Sequence, residues 1–194
     1  MESPMDVSGI RIITVSGRIA SGSTTLARKL ARHLGWKHLE GGEIFWEAIR
    51  KKTGFAAKDT HLRPDEEDEL FDAELKRILR EETHIVLETK LAGFNAQGIP
   101  NIFKILVLCN DKHGIDQPQI RIDRLVNREK VPVEEAKTEV LEREHHDIEK
   151  WRKLYALGNQ EWVYWNESYY DLIINTYSHN AEETLQIALA ALPL

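Results

Sequence analysis

Nine residues, Gly17-Arg18-Ile19-Ala20-Ser21-Gly22-Ser23-Thr24-Thr25, have the types and spacing of a loop that wraps a polyphosphate. Gly17 and Gly22 free the backbone to curl so that successive N–H groups point into one cavity. A helix beginning near Leu26 would add the positive end of its dipole. Thr24 stands where a hydroxyl would reach Mg²⁺, but the position before it, usually lysine, is Ser23. The loop therefore supplies no ammonium. Charge that develops during phosphoryl transfer must be neutralised by other cations: Mg²⁺, Arg18 within the loop, or Arg121, Arg124, Arg128, Arg143 and Lys150 further along. Arg143 and Lys150 would lie two turns apart on one helix face, about 10 Å along the axis, and could grip neighbouring phosphates. The plainer alternative is a solvated charged helix, with Asp147 pairing with Arg143 one turn away.

Glu88 closes a short apolar run, His84 to Leu87. A carboxylate ending a buried strand beside such a loop is placed to orient Mg²⁺, because both motifs emerge at the carboxyl edge of a parallel sheet. Its structural alternative is an ion pair with Lys90. His145, His146 and Asp147 have the composition of metal ligands. Adjacent residues on a helix point about 100° apart, so the two histidines read as surface residues. The aromatic residues from Tyr155 to Tyr177 are dense enough to pack a returning segment against the core, with a stacking or self-association surface as the alternative.

The elements that must position these groups follow from periodicity. Apolar, β-branched runs at Ile10 to Val15, Trp36 to Leu39, His84 to Leu87, Ile102 to Leu108 and Leu172 to Asn175 predict five strands. Helical spacing separates them, as at Leu26, Leu30 and Leu34, at Phe71, Leu75, Ile78 and Leu79, and at Leu185, Ala188, Leu189 and Leu192. The alternation predicts an α/β fold, a five-stranded parallel sheet with helices on both faces. The charged stretch from Asp116 to Tyr155 breaks that rhythm. It reads as two helices joined at Lys130 to Pro132, a helical lid inserted at about residues 111 to 157.

A chain of 194 residues suits one domain. Its net charge of −6 argues against a general polyanion coat, so no nucleic acid is expected as partner. Ten acidic and four basic residues fall between Asp59 and Glu82; the excess is expected to be solvated at one helix start, where acids suit the dipole. One cysteine, Cys109, allows no internal disulfide and fits a reducing compartment. The N-terminal residues lack an apolar signal region, and no apolar run is long enough to span a bilayer. A cytoplasmic protein without a membrane partner, monomeric or weakly dimeric, is the expectation.

Several motifs occur in one order: the Gly17 to Thr25 loop, Gly41-Gly42-Glu43-Ile44-Phe45, Leu87-Glu88 with Leu91-Ala92-Gly93-Phe94, and Tyr170-Asp171-Leu172-Ile173-Ile174-Asn175-Thr176. From about Ile12 to the C-terminus the chain resembles the archaeal-type cytidylate kinase family. The resemblance implies a P-loop kinase fold and transfer of the γ-phosphoryl group of ATP to a small nucleotide, CMP or dCMP, with Mg²⁺. Carried over by position, Gly17 to Thr25 would hold the ATP phosphates, Thr24 and Glu88 the Mg²⁺, and Arg121 would lie near the donor nucleotide. Gly42, Glu43 and Phe45 would border the acceptor, and Arg143, with Lys150, would bridge phosphates as the lid closes. The chain departs from the family pattern where arginine becomes Lys90, where Arg-Tyr becomes Lys150-Trp151, and where Trp46 replaces a phosphate-binding arginine that Arg50, one turn later, could restore. A lysine keeps the charge and loses the bidentate fork. Those departures leave two alternatives open: a kinase of another small acceptor, or a nucleotide-binding regulatory module with weak transfer.

Overall fold

The structure, a computed structural model, describes residues 3–45 and 64–194. The elements run β1 (Ile12–Gly17), α1 (Ser23–Leu34), β2 (Lys37–Glu40), α2 (Gly41–Phe45), α3 (Asp65–Glu81), β3 (Ile85–Glu88), α4 (Ala92–Asn95), β4 (Ile102–Leu108), α5 (Pro118–Glu129), α6 (Val133–Lys137), α7 (Glu144–Ala156), β5 (Leu172–Asn175) and α8 (Ala181–Ala190). All pairings are parallel and the strand order is β2-β3-β1-β4-β5. Each expected strand is present, with β4 and β5 at the residues the sequence predicts.

Alternate strand residues explain the two layers. Ile13, Val15, Ile105 and Val107 face α1 and α8, meeting Leu26, Leu30, Leu34, Leu185 and Leu189. Ile12, Ile85, Leu87 and Ile102 face the other way and meet Leu75, Ile78 and Leu79 of α3. Burial on both faces is why these strands read as continuous apolar runs.

Register decides where the site can form. Val15 pairs with Glu88, Glu40 also pairs with Glu88, and Gly17 pairs with Val107. The end of β1, the start of α2 and the end of β3 therefore open on one sheet edge, beside the switch point where β1 has β3 on one side and β4 on the other.

The inserted segment lies off the sheet, as its lack of strand periodicity predicts. Lys130 ends α5 in a left-handed conformation with φ 58°. The helix that follows is continuous from Val133, but a six-residue π-helical stretch, Thr138–Arg143, separates α6 from α7. The returning segment packs its aromatic residues inward: Leu91, Ile148, Trp151, Trp162 and Tyr164 form one buried cluster, flanked by Phe94, Tyr155 and Trp165. Gly93 permits the closest approach, because a Cβ there would overlap the Tyr170 ring. The acidic start of α3 differs from the fully solvated expectation: Glu67, Asp68 and Asp72 are buried. Lys150 pairs with Asp68 at 2.5 Å, and Asn95 donates to Asp72 at 3.1 Å. Burial raises the Asp72 carboxyl above its usual range, against hydrogen bonds from Tyr155 and Asn95.

Candidate active site

The loop between β1 and α1 is shaped by two left-handed residues, Ala20 at φ 59° and Gly22 at φ 112°. The Ser21 N–H closes a turn on the Arg18 carbonyl at 3.0 Å, and the Leu26 N–H begins the α1 ladder on Gly22 at 3.0 Å. Gly17 has a steric reason as well: a Cβ would meet Ser21 Oγ and the Val107 carbonyl. The first turn of α1 carries no acidic residue and Gly22 gives no side-chain cap. Its N–H groups and positive dipole end are thus not neutralised by the helix's own residues.

Below the loop, Ser23 Oγ donates to Glu88 Oε1 at 3.0 Å. Burial pushes the Glu88 carboxyl above its usual range, while hydrogen bonds from Ser23 and Thr24 work to keep it ionised. A desolvated carboxylate held against two loop hydroxyls suits a hydrated Mg²⁺, which needs only one or two carboxylates beside phosphate oxygens and water. The alternative of a Glu88–Lys90 ion pair is not what forms: Lys90 Nζ pairs with Asp147 Oδ2 at 2.5 Å. Among the described residues no group of three or more His, Cys, Asp or Glu could hold a metal by itself. His145 and His146 are exposed, in keeping with their surface reading.

Beside the loop lies a cleft of about 560 Å³ between α1, α5 and the turn into α8, lined by Gly22, Thr25, Arg124, Arg128, Thr176 and His179 among others. Arg124 bridges its walls, donating to the Ser21 carbonyl at 3.3 Å, Thr176 Oγ1 at 2.8 Å and the Thr176 carbonyl at 2.7 Å. Among the described residues its partners are neutral acceptors, so its positive charge is uncompensated at the cleft.

The structure separates the cations that the sequence had grouped. Arg121, expected near the donor nucleotide, is 0 % exposed and pairs with Asp116 at 2.8 Å and with Glu144 at 3.2 Å. Arg18, expected among the phosphate ligands, turns to Glu144 at 2.5 Å and Asp116 at 3.0 Å, with Trp165 beneath it at 4.4 Å. Both guanidiniums are thus engaged by the same two carboxylates, Asp116 and Glu144. Arg124 and Arg128, present in the sequence reading only among several lid cations, line the cleft instead. Arg121, Arg124 and Arg128 all recur at helical spacing, so spacing alone does not separate them. Arg143 pairs with Glu139 at 2.6 Å rather than with Asp147. Lys150 reaches across to α3 and Asp68. Gly42 and Glu43 are exposed at the start of α2, while Phe45 is buried against Phe71. Trp46 and Arg50 lie outside the described residues.

The profile of the cytidylate kinase-like family matches residues 12–178. A cytidylate kinase of Methanopyrus kandleri is 32% identical over 185 residues, covering 93% of this chain and 92% of the relative. One from Haloarcula marismortui is 31% identical over 183 residues, covering 93% and 88%. Among solved structures, a shikimate kinase from Bacteroides thetaiotaomicron superposes with a TM-score of 0.58 at 18% identity, over 93% of this chain and 97% of that one. An uncharacterised protein from Eubacterium ventriosum gives 0.62 at 18% identity, over 93% and 96%. Both likenesses concern the fold. The chain belongs to the cytidylate kinase-like family.

Proposed function

We propose that this member of the family, an ATP-dependent phosphotransferase of the cytidylate kinase type, moves the γ-phosphoryl group of ATP to the phosphate of CMP or dCMP. The observation that carries the reading is the junction of an uncapped P-loop helix, the Ser23 and Thr24 hydroxyls, and Glu88 on one sheet edge. In this reading the N–H groups from Ala20 to Thr24 hold the β- and γ-phosphates, and the cleft beside Arg124 and Arg128 takes the nucleoside end of ATP. Thr24 and Glu88 are the residues that would hold Mg²⁺, and the ion would supply positive charge against the phosphates during transfer.

The acceptor needs no general base, because its phosphate is already anionic at neutral pH. One of its oxygens attacks Pγ in line, the bond from Pγ to the bridging oxygen breaks, and ADP leaves with that electron pair. Arg143, Lys150 and Lys90 supply charge around the transferred group, each exchanging an internal carboxylate, Glu139, Asp68 or Asp147, for phosphate oxygens. Lid closure keeps water from the γ-phosphate. The expected setting is the cytoplasm, with a monomer or weak dimer.

A coupled ADP-release assay with CMP, dCMP, UMP, AMP, GMP and non-nucleotide acceptors tests the reading. CMP or dCMP should give the highest kcat/KM. Preference for a non-nucleotide acceptor would make the protein a kinase of another small molecule. ATP binding without acceptor-dependent ADP release would make it a binding module, a reading favoured by the internal pairing of Ser23, Lys90 and Lys150.

A further inference from the structure

Ile19, in the middle of the P-loop, has both of its backbone polar groups held by the lid. Its N–H donates to Glu144 Oε1 at 3.3 Å, and its carbonyl accepts from Arg121 at 2.8 Å. Glu144 also takes Arg18 Nε at 3.0 Å and Nη2 at 2.5 Å, and the two Arg121 Nη atoms at 3.3 and 3.2 Å. Asp116 completes the group by accepting from Arg121 and pairing with Arg18. Glu144 is 3 % exposed. Two arginines and two acids thus form a neutral knot, with Arg121 and Glu144 buried and Arg18 and Asp116 half-buried. It ties the P-loop to α5 and to the first residue of α7.

That residue has a specific place in the lid. The π-helical stretch ends on Arg143, and Glu144 begins α7. Three and six residues later, Asp147 takes Lys90 after β3 and Lys150 takes Asp68 of α3. One face of α7 is therefore pinned in turn to the P-loop, the β3 edge and α3. Burying Arg121 and Glu144 costs desolvation that apolar packing in the same place would not.

We propose that Glu144 is a positioning residue for phosphoryl transfer. Its carboxylate locks α7 to Ile19 and Arg18, fixing where Arg143 and Lys150 stand over the phosphates and coupling P-loop shape to lid position. The inference rests on the kinase reading for its catalytic consequence, but the lock itself is measurable without turnover.

The test compares the full-length protein with Glu144→Gln, Arg18→Met and the double variant. Hydrogen exchange is followed in segments 17–25 and 138–156, with β4 as reference, alongside kcat and KM for ATP and CMP. Because small misplacements of positioned groups cost about a hundredfold in rate, Glu144→Gln should lower kcat by about ten- to a hundredfold and leave the KM for ATP within about threefold. Exchange should rise about tenfold in both segments and not in β4. Acceptor-independent ATP hydrolysis should fall less than transfer does. The double variant should be no worse than the more damaged single one, as for residues acting through one contact. Unchanged exchange with unchanged kcat, additive losses, a uniform rise in exchange across the chain, or a raised KM for ATP with normal kcat would each overturn the proposal. If Glu144→Gln does not fold, Arg18→Lys, which keeps the charge without the fork, is judged by the same exchange criterion. Absence of transfer in the wild-type protein would defeat the kinase reading, while the exchange comparison still decides the lock.

Discussion

Ser23 Oγ donates to Glu88 Oε1 at 3.0 Å, joining the P-loop to the end of β3 at the position where a lysine ammonium is usual. Burial raises the Glu88 carboxyl above its usual range, hydrogen bonds from Ser23 and Thr24 oppose that shift, and the loop offers no lysine beside it. Glu88→Gln should lower Mg²⁺-dependent transfer about a hundredfold, on the scale of losing one preorganised electrostatic group. ATP affinity measured in chelator should stay within about threefold, since that state lacks the ion. Isothermal titration with and without Mg²⁺, beside steady-state kinetics, separates the two quantities.

Arg124 and Arg121 sit one turn apart on α5 and should fail differently. Arg124→Ala removes an uncompensated charge from the cleft and should raise the KM for ATP about tenfold with a small change in melting temperature. Arg121→Ala leaves Glu144 and Asp116 without their buried partner. It should cost about 3–5 kcal/mol of stability, read by chemical denaturation. A reversal of the two phenotypes would return Arg121 to the donor site.

Arg143→Ala should lower kcat strongly, by about a hundredfold or more, with the KM for ATP little changed, because the side chain is expected to meet phosphate only during transfer. Glu139→Gln provides a control. It frees Arg143 from its internal partner and should leave kcat at or above the wild-type value. Normal turnover in Arg143→Ala would remove its role.

Glu144 supplies a pH signature. Burial opposes its ionisation, but the hydrogen bond and charge of Arg18 and the charge of Arg121 outweigh that and hold the carboxyl below its ordinary range. A carboxylate so depressed stabilises the fold above its unfolded value, about pH 4.3, and loses that contribution as pH falls through the folded value. The melting temperature of the wild type should exceed that of Glu144→Gln at pH 7, and the gap should narrow as pH falls below about 4. Thermal scans across pH 3 to 8 would show it.

Gly93→Ala places a methyl inside the Tyr170 ring contact. It should destabilise by about 1–3 kcal/mol, the usual cost of overpacking, and a smaller residue at position 170 should recover part of the loss. Denaturant unfolding of the two single variants and their combination checks the coupling.

What the sequence determined by itself was local. The glycine spacing from Gly17 to Gly22 dictated a phosphate loop because only a curled backbone aims successive N–H groups inward, and Ala20 and Gly22 do adopt left-handed conformations. Two-sided apolar runs dictated buried parallel strands, and strand-end placement put Glu88 on the same edge as the loop. Charged residues carry no such pattern. Arg18, Arg121, Arg124 and Arg143 are equivalent cations in a sequence, and an arginine's partner depends on which carboxylates the chain brings near it. The fold spent Arg18 and Arg121 on Glu144 and Asp116, left Arg124 among neutral acceptors beside the cleft, and buried Asp68 and Asp72 in a helix start whose composition suggested full solvation. Those assignments join residues up to 126 positions apart. They arise from desolvation and distance, which only the tertiary structure sets.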